Sequence, residues 1–286
     1  MFLKDLIDRD PVAFFGRDDL TQHAEAPFLA KLLDSSIRLH VQAHPTRAFA
    51  QRHLNADHGK AEGYVILETR PEVSEPFVYI GFQRPPTRDA YRRAILEQDI
   101  DAILAPFERI AVRPGDVFFV PGGLPHAIGP GVLMLEVMEP SDLAVRLEFE
   151  RGGYVLPESA RFMGRGVDLA LDMIDFEARS VERVRRECFG RPEPREVGGS
   201  DSRRWSLIDE RLTDRFRVEG LEIDREMIYR PRGFEVFLAI QGDGEMIGDG
   251  RSIRLSRGCR GVIRAGTGPF CLRASRPGLR LLVVGS

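Results

Sequence analysis

Two stretches of the sequence place histidine, amide and acidic side chains at spacings that suit a metal ion. Gln42 and His44 lie two apart in IRLHVQAH, residues 37–44, whose alternating pattern predicts a strand with both side chains on one side. Glu62 opens the next predicted strand, and His126 follows a Pro-Gly-Gly corner. Two imidazoles, a carboxylate and an amide oxygen suit a borderline cation such as zinc. We therefore predict one divalent ion per chain, zinc or a similar metal, bound by Gln42, His44, Glu62 and His126.

The strongest single motif is PGDVFFVPGGLPHAIG, residues 114–129. Gly115, Pro121, Gly123 and His126 fall at the spacing of the second cupin motif, in which a turn glycine opens a strand and a Pro-x-Gly corner precedes a histidine. A hairpin with a lone histidine is the alternative interpretation. The agreement of several positions at once favours the cupin motif.

Four segments in the same order resemble type I phosphomannose isomerases, also called mannose-6-phosphate isomerases. They are VQAHP (41–45), GKAEGYVIL (59–67), PGDVFFVPGGLPHAIGPGVLMLE (114–136) and EPSDLAVRL (139–147). The resemblance covers about residues 37–150. It implies that the four predicted ligands bind zinc, that Lys60 is the active-site lysine, that Glu136 is a proton-transfer carboxylate and that Arg146 is the catalytic arginine.

Apart from the resemblance, the sequence around each residue supports the role of Glu136 more than those of Lys60 and Arg146. Glu136 lies in the apolar run VLMLEV, where a carboxylate is costly to bury unless it is paired or faces a polar cavity. An outward-facing, solvated glutamate is the alternative there. Lone cations such as Lys60 and Arg146 are usually solvated, so their roles depend mainly on the resemblance.

Several positions near the predicted site depart from the family pattern. His40 stands where the family usually has a serine that helps to hold the substrate phosphate, and Thr46-Arg47 replaces a common acidic pair. Val145 replaces the tyrosine before the catalytic arginine. We predict that His40 and Arg47 contact the substrate, and that the changes alter the substrate rather than abolish metal binding.

The chain as a whole is expected to be mainly β, a bicupin of two jelly-roll-like barrels with a small helical insertion around residues 87–105. We predict an N-terminal segment, helical or irregular, that packs on a barrel, a metal-binding barrel, a helical connection with a linker, and a second barrel; these cover residues 1–36, 37–160, 161–201 and 202–286. The best linker candidate is GRPEPREVGGSD, residues 190–201. All six histidines lie in the first half, so the second barrel is predicted to bind no metal.

Composition limits the possible partners. The net charge of −3 gives no broad basic surface, so we expect neither nucleic acid nor membrane binding. Cys188, Cys259 and Cys271 are far apart and form no CxxC pair, which favours a reducing cytoplasm. The N-terminus shows no apolar core of signal-peptide length, and no apolar run approaches membrane-spanning length. The sequence leaves the oligomeric state open.

The leading functional hypothesis is an aldose–ketose isomerase of carbohydrate metabolism. It would interconvert a sugar phosphate pair, mannose 6-phosphate and fructose 6-phosphate above all, through a cis-enediol(ate). Two histidines and a carboxylate also form the facial triad of non-haem iron oxygenases, although Gln42 as a fourth ligand argues against that chemistry. A third hypothesis is a non-catalytic, metal-stabilised sugar-binding or regulatory cupin.

Overall fold

The computed structural model describes residues 2–16, 26–195 and 202–286, which divide into two compact units. One unit contains residues 31–190. The other combines residues 1–30 with residues 191–286. Both are built largely of strands, so the mainly β prediction is confirmed. The predicted domain boundaries, and the closure of the sheets into barrels, stay predictions.

The N-terminal segment begins with two short helices and ends in a strand. The helices are α1 (Leu3–Arg9) and α2 (Pro11–Phe15), and the strand is β1 (Leu29–Ser35). The expectation of helical or irregular structure over residues 1–36 was wrong for β1. LAKLLDS lacks a strict alternation, and it becomes a strand by pairing with the buried strand Val132–Met138.

The described part of the 31–190 unit contains a four-stranded sheet, a five-stranded sheet and a two-stranded sheet, together with short helices. The strands that follow β1 are β2 (Gln42–Ala43), β3 (Glu62–Thr69), β4 (Phe77–Ile80), β5 (Ile110–Ala111), β6 (Val117–Val120), β7 (His126–Ile128), β8 (Val132–Met138), β9 (Val145–Arg146), β10 (Glu150–Arg151) and β11 (Tyr154–Val155). The helices are α3 (Arg47–Phe49), which continues into a π-helical turn (Ala50–Leu54), α4 (Arg88–Glu97), α5 (Ile100–Leu104), α6 (Glu158–Arg161), α7 (Val167–Met173) and α8 (Val181–Cys188).

The four-stranded and five-stranded sheets of this unit divide three of the predicted ligands between them. One sheet has the strand order β1-β8-β3-β6 and carries Glu62 at the start of β3. The other has the order β5-β4-β7-β2-β9 and carries Gln42 and His126, which are directly paired across β2 and β7. His44 follows the end of β2. The site is therefore assembled from elements far apart in the sequence.

The predicted strand over residues 37–44 is mostly not a strand. Only Gln42 and Ala43 pair as β2. The backbone N–H of Leu39 donates to the carbonyl of Ile128, and that of Val41 donates to the Glu148 carboxylate. One of these donors thus reaches the last residue of β7 and the other reaches a side chain, so the alternating sequence pattern is not realised as a continuous ladder.

The helical insertion around residues 87–105 is confirmed as two helices. Thr87 caps α4 by accepting a hydrogen bond from the N–H of Ala90. Gln98 ends that helix in the left-handed conformation, and Asp99 then caps α5. The apolar face of α4 packs into a hydrophobic core of the unit through Tyr91, Ala94 and Ile95.

Residues 191–286 form an antiparallel sheet with a hydrophobic core of its own. Its strands are β12 (Glu193–Arg195), β13 (Arg203–Ile208), β14 (Arg217–Ile223), β15 (Glu226–Tyr229), β16 (Glu235–Gly248), β17 (Arg251–Ser256), β18 (Arg260–Ile263) and β19 (Phe270–Gly285). The order is β12-β13-β14-β19-β16-β17, with β15 on β19 and β18 on β16. Of the predicted linker, residues 193–195 form β12, and residues 196–201 lie outside the described residues. None of the helices in the described ranges is long and apolar enough to cross a membrane.

Candidate metal centre

Three of the four predicted metal ligands meet in the interior of the 31–190 unit. His44 Nε2 lies 3.1 Å from Glu62 Oε1, and His126 Nε2 lies 3.2 Å from Glu62 Oε2. All three side chains are 1% exposed or less. One donor atom from each lies within 4.8 Å of the other two, and within the described residues no other group of histidine, cysteine and acidic side chains is this close. The arrangement has the size and the ligand types of a divalent metal site.

In both histidines, Nδ1 faces a backbone carbonyl oxygen, and the Nε2 lone pair points toward Glu62. His44 Nδ1 lies 3.0 Å from the carbonyl oxygen of Leu143, and His126 Nδ1 lies 2.9 Å from that of Leu124. A carbonyl can only accept, so both Nδ1 atoms carry the hydrogen. In a neutral ring Nε2 is then an acceptor, as metal-binding histidines require.

This tautomer makes a cation the natural occupant. Burial lowers the pKa of His44 to about 4, so the ring is neutral near pH 7. Burial by itself raises the pKa of Glu62, but the positive charge that His44 or His126 carries once protonated lowers it well below its usual range. When both rings are neutral, the Nε2 acceptors face the acceptor oxygens of Glu62, and His44 Nε2 is buried without a hydrogen-bond partner among the described residues. A divalent ion would satisfy His44 Nε2 and bind the carboxylate, so this set of side chains fits a metal.

Gln42 lies beside this group as the sequence predicts. It is paired with His126 across the sheet, and its amide nitrogen lies 3.4 Å from His126 Nε2. A half-turn about the last side-chain bond exchanges the amide nitrogen and oxygen, which would present the oxygen for metal binding. The structure thus brings the predicted four residues together, while their roles as ligands stay a prediction.

Two glycines allow the loop after His44 to approach the other ligand-bearing segments. A Cβ atom on Gly122 would lie 2.5 Å from the Pro45 carbonyl oxygen, and one on Gly59 would lie 2.7 Å from the same atom. Close backbone contacts replace side chains at both places: the N–H of Lys60 donates to Pro45, and that of Gly123 donates to His44. The Gly-Lys and Pro-Gly-Gly motifs therefore hold His44 from two sides.

Lys60 lies in the site and contacts the ligand carboxylate. Its ammonium group is 3.1 Å from Glu62 Oε1, and the residue is 8% exposed. The peptide between these two residues is fixed by Glu139, whose carboxylate accepts from the N–H of Ala61 and whose own N–H donates to the Ala61 carbonyl. Ser141 adds a hydrogen bond to the Gly59 carbonyl.

Glu136 is buried and lies close to the ligand group rather than facing solvent. It is 5% exposed, and its Oε1 lies 3.3 Å from the hydroxyl of Tyr64, which also donates to Glu62. Its Oε2 lies 3.6 Å from the ammonium of Lys31. Burial raises the pKa of Glu136, the nearby Glu62 raises it further, and Lys31 and Lys60 oppose this. A carboxylate of this kind is a stronger base than a solvated one.

Arg146 and His40 lie close enough for the charge of Arg146 to act on the His40 ring. Arg146 is paired with Gln42 across β2 and β9, so its side chain projects on the same face as Gln42 and His126. His40 Nε2 is buried without a hydrogen-bond partner among the described residues. Burial lowers the pKa of His40, and the charges of Arg146, Arg151 and Arg38 lower it further against the opposing effect of Glu148.

Arg47 is exposed, at the start of α3, and its guanidinium donates to the carbonyl of Asp57. The contacts described for it do not include the ligand group. Its predicted contact with substrate stays a prediction.

The sequence did not single out Lys31 or assign a role to Tyr64. Tyr64 carried a usable signal, since it lies two residues after Glu62 on a strand and must face the same side. Lys31 carried none, because its contact with Glu136 arises from the neighbouring strands β1 and β8.

Comparisons with known proteins support this description. No family model matches the chain. The probable mannose-6-phosphate isomerase GmuF of Bacillus subtilis is 26% identical over 253 residues, which are 87% of this chain and 72% of that protein. The mannose-6-phosphate isomerase ManA of the same organism is 36% identical over 121 residues, which are 42% of this chain and 36% of that protein.

The fold agrees with solved structures over almost the whole chain. The crystal structure of the mannose 6-phosphate isomerase from Bacillus subtilis matches with a TM-score of 0.75 at 18% identity, covering 98% of this chain and 81% of that one. A phosphomannose isomerase variant from Salmonella typhimurium matches with a TM-score of 0.72 at 16% identity, covering 100% and 86%. The chain is therefore similar to mannose-6-phosphate isomerases in sequence and shares the fold of the solved ones.

Proposed function

We propose that this protein is a metal-dependent aldose–ketose isomerase that interconverts sugar phosphates, with mannose 6-phosphate and fructose 6-phosphate as the pair to test first. The observation that carries the proposal is the convergence of His44, Glu62 and His126 beside the buried Glu136 and Lys60. The relatives named as mannose-6-phosphate isomerases support the same reaction.

The reaction moves one proton from C2 to C1 of an open-chain sugar and a second proton from the C2 hydroxyl to the C1 oxygen. Glu136 is our candidate for the base that acts at carbon: its carboxylate takes the proton from C2 of the aldose and returns it to C1. With the proton of the C2 hydroxyl passed to the C1 oxygen, an aldehyde becomes a ketone through a cis-enediol(ate). Arg146 would stabilise the negative charge that develops on oxygen, and Lys60 would do the same or assist ring opening. A bound divalent ion, zinc in our proposal, would supply Lewis-acid polarisation of the adjacent carbonyl and hydroxyl oxygens.

The substrate phosphate needs a cationic partner outside the metal group. We assign this task to the side of the site that contains His40 and Arg146, with Arg47 as a further candidate. The buried, unpartnered Nε2 of His40 and the arginine charges around it support this choice. The three cysteines are unpaired, which is consistent with the cytoplasmic location that we propose.

The test is an assay of aldose and ketose phosphates with the metal-stripped full-length protein, to which Zn²⁺, Mn²⁺, Co²⁺ or Fe²⁺ is added back. We expect conversion of at least one phosphorylated pair, with exchange of the C2 proton and with little activity before metal addition. Binding of the sugars without proton exchange would replace the proposal by a sugar-binding or regulatory protein. Oxygen consumption only with iron would replace it by an oxygenase.

A further inference from the structure

One hydroxyl group lies between the metal-ligand carboxylate and the candidate base. Tyr64 Oη donates to Glu62 Oε2, the same oxygen that faces His126 Nε2, and lies 3.3 Å from Glu136 Oε1. These contacts link the predicted ligand group to the carboxylate that we assign to proton transfer, through a residue to which neither the motifs nor the proposed mechanism gives a role.

The position of this hydroxyl is fixed by the sheet. Tyr64 on β3 is directly paired with Glu136 on β8 and with Phe118 on β6, so the three side chains lie in one row across neighbouring strands. The rings of Tyr64 and Phe118 stack with centroids 4.8 Å apart and planes inclined by 23°. Tyr64 is 1% exposed, so the ring has little room to turn away.

The contacts also divide the two oxygens of Glu62 between different tasks. Tyr64 engages Oε2, whereas Oε1 lies 3.1 Å from both His44 Nε2 and Lys60 Nζ. A carboxylate that is free to rotate would lose this orientation. Partners that hold a ligand from outside are known to affect metal affinity about 10–100-fold.

We propose that Tyr64 is a positioning residue, whose hydroxyl orients the Glu62 carboxylate for metal binding and holds Glu136 at a set distance from the metal. The part concerning Glu62 is independent of any reaction. The part concerning Glu136 rests on the proposed isomerase function.

The experiment removes the hydroxyl alone. Tyr64→Phe keeps the ring and its stacking on Phe118. Tyr91→Phe is a matched control in the same unit, since Tyr91 is equally buried at 1% exposed and its hydroxyl donates to the backbone carbonyl of Ile103 in α5, away from the metal ligands. Both variants and the wild-type chain would be stripped of metal and titrated with Co²⁺ against a competing chelator, with the visible spectrum of the bound ion recorded.

We expect Tyr64→Phe to weaken Co²⁺ binding by about 10-fold or more and to change its visible spectrum, because a ligand oxygen has lost its outer partner. Tyr91→Phe should leave both unchanged. If Tyr64→Phe lowers only the melting temperature while Co²⁺ affinity and spectrum match the wild type, Tyr64 is a packing residue and the proposal is overturned.

The link to Glu136 is tested by kinetics at saturating metal. For Tyr64→Phe we expect kcat to fall about 10-fold or more with a smaller change in KM, because a displaced base affects the reacting complex more than substrate binding. A wild-type kcat in this metal-saturated variant would overturn the link. Should the wild-type protein itself turn over no sugar phosphate, the proposed function fails, whereas the Co²⁺ titration still decides the role of Tyr64 at Glu62.

Discussion

At the scale of single residues, the site separates one carboxylate that binds from one that reacts. Glu62 is surrounded by two imidazoles and the Lys60 ammonium, and its pKa lies well below the usual range despite its burial. Glu136 lies on the other side of the Tyr64 hydroxyl, with its Oε1 3.3 Å from that oxygen. In contrast to Glu62, its pKa is raised by burial and by the nearby Glu62. Two acidic groups whose environments move their pKa values in opposite directions suit two roles, a ligand and a proton carrier.

This division predicts different results for the same substitution at the two positions. Glu136→Gln keeps the side-chain volume and removes the base, so we expect kcat to fall by about 10²–10⁴-fold while metal content stays that of the wild type. The measurements are C2 proton exchange and metal analysis of the purified protein. Glu62→Gln is the matched comparison, and it should instead lose the metal. Full turnover in Glu136→Gln would remove this residue from the role of base.

At the scale of elements, the sequence predicted the features that residues close together in the chain determine. The mainly β character of the chain and the helical insertion around residues 87–105 are visible in the sequence and confirmed by the structure. The predicted strand over residues 37–44 was wrong because only Gln42 and Ala43 form ladder pairs, while the N–H of Val41 donates to the Glu148 carboxylate instead of to a neighbouring strand. The contact between Lys31 and Glu136 arises because β1 and β8 are neighbours in the sheet. Tertiary packing determines which strands are neighbours, so this contact could not be predicted from the local sequence pattern.

The approach of the Gly122 corner to the loop after His44 is an element-level feature that can be tested directly. A methyl group at Gly122 would lie 2.5 Å from the Pro45 carbonyl oxygen, so Gly122→Ala must displace backbone rather than a flexible side chain. We expect a loss of about 1–3 kcal/mol in the free energy of unfolding together with weaker metal binding, because His44 moves with its loop. Chemical denaturation and a Zn²⁺ titration measure the two effects. Gly268→Ala is the control, since a Cβ there would meet nothing within 4 Å.

A buried ion pair joins the segment before β2 to the segment between β9 and β10. Two nitrogens of the Arg38 guanidinium lie 2.6 and 2.5 Å from the two carboxylate oxygens of Glu148, and the side chains are 8% and 0% exposed. Burial opposes ionisation, but the Arg38 guanidinium and the Val41 N–H together hold the pKa of Glu148 below its usual 4.5. The unfolded chain therefore binds the proton more readily, so the pair stabilises the fold above about pH 4.5 and this contribution is lost as pH falls through the lowered pKa.

Glu148→Gln should accordingly destabilise the protein by about 3–5 kcal/mol near pH 7, because it leaves the Arg38 charge buried without its counter-ion. The difference from the wild type should shrink as the pH is lowered below about 4.5, where the wild-type carboxylate is protonated in the unfolded chain. Urea unfolding at a series of pH values measures this. Glu97→Gln, at an exposed position on α4, should show no such trend. A pH-independent difference would contradict the ion-pair explanation.

At the scale of the whole molecule, the two units should differ in how strongly metal binding stabilises them. The predicted ligands all belong to residues 31–190. Residues 191–286 of the other unit have a hydrophobic core of their own and contain no histidine. A ligand stabilises the structure that contains its binding atoms. Metal binding should therefore protect one unit and not the other.

Hydrogen exchange on the full-length chain tests this difference. At a free Zn²⁺ concentration about 100 times the Kd, binding stabilises the liganded structure by about 2.7 kcal/mol, which slows exchange through its unfolding by about 100-fold. We expect this slowing in β3, β7 and β8, whereas amides of β14, β16 and β19 should exchange at the same rate with and without Zn²⁺. His126→Ala, which removes a ligand, should abolish the effect at the same Zn²⁺ concentration. Equal slowing in β14, β16 and β19 would mean that the two units unfold together, and slowing in those strands alone would place the metal outside the 31–190 unit.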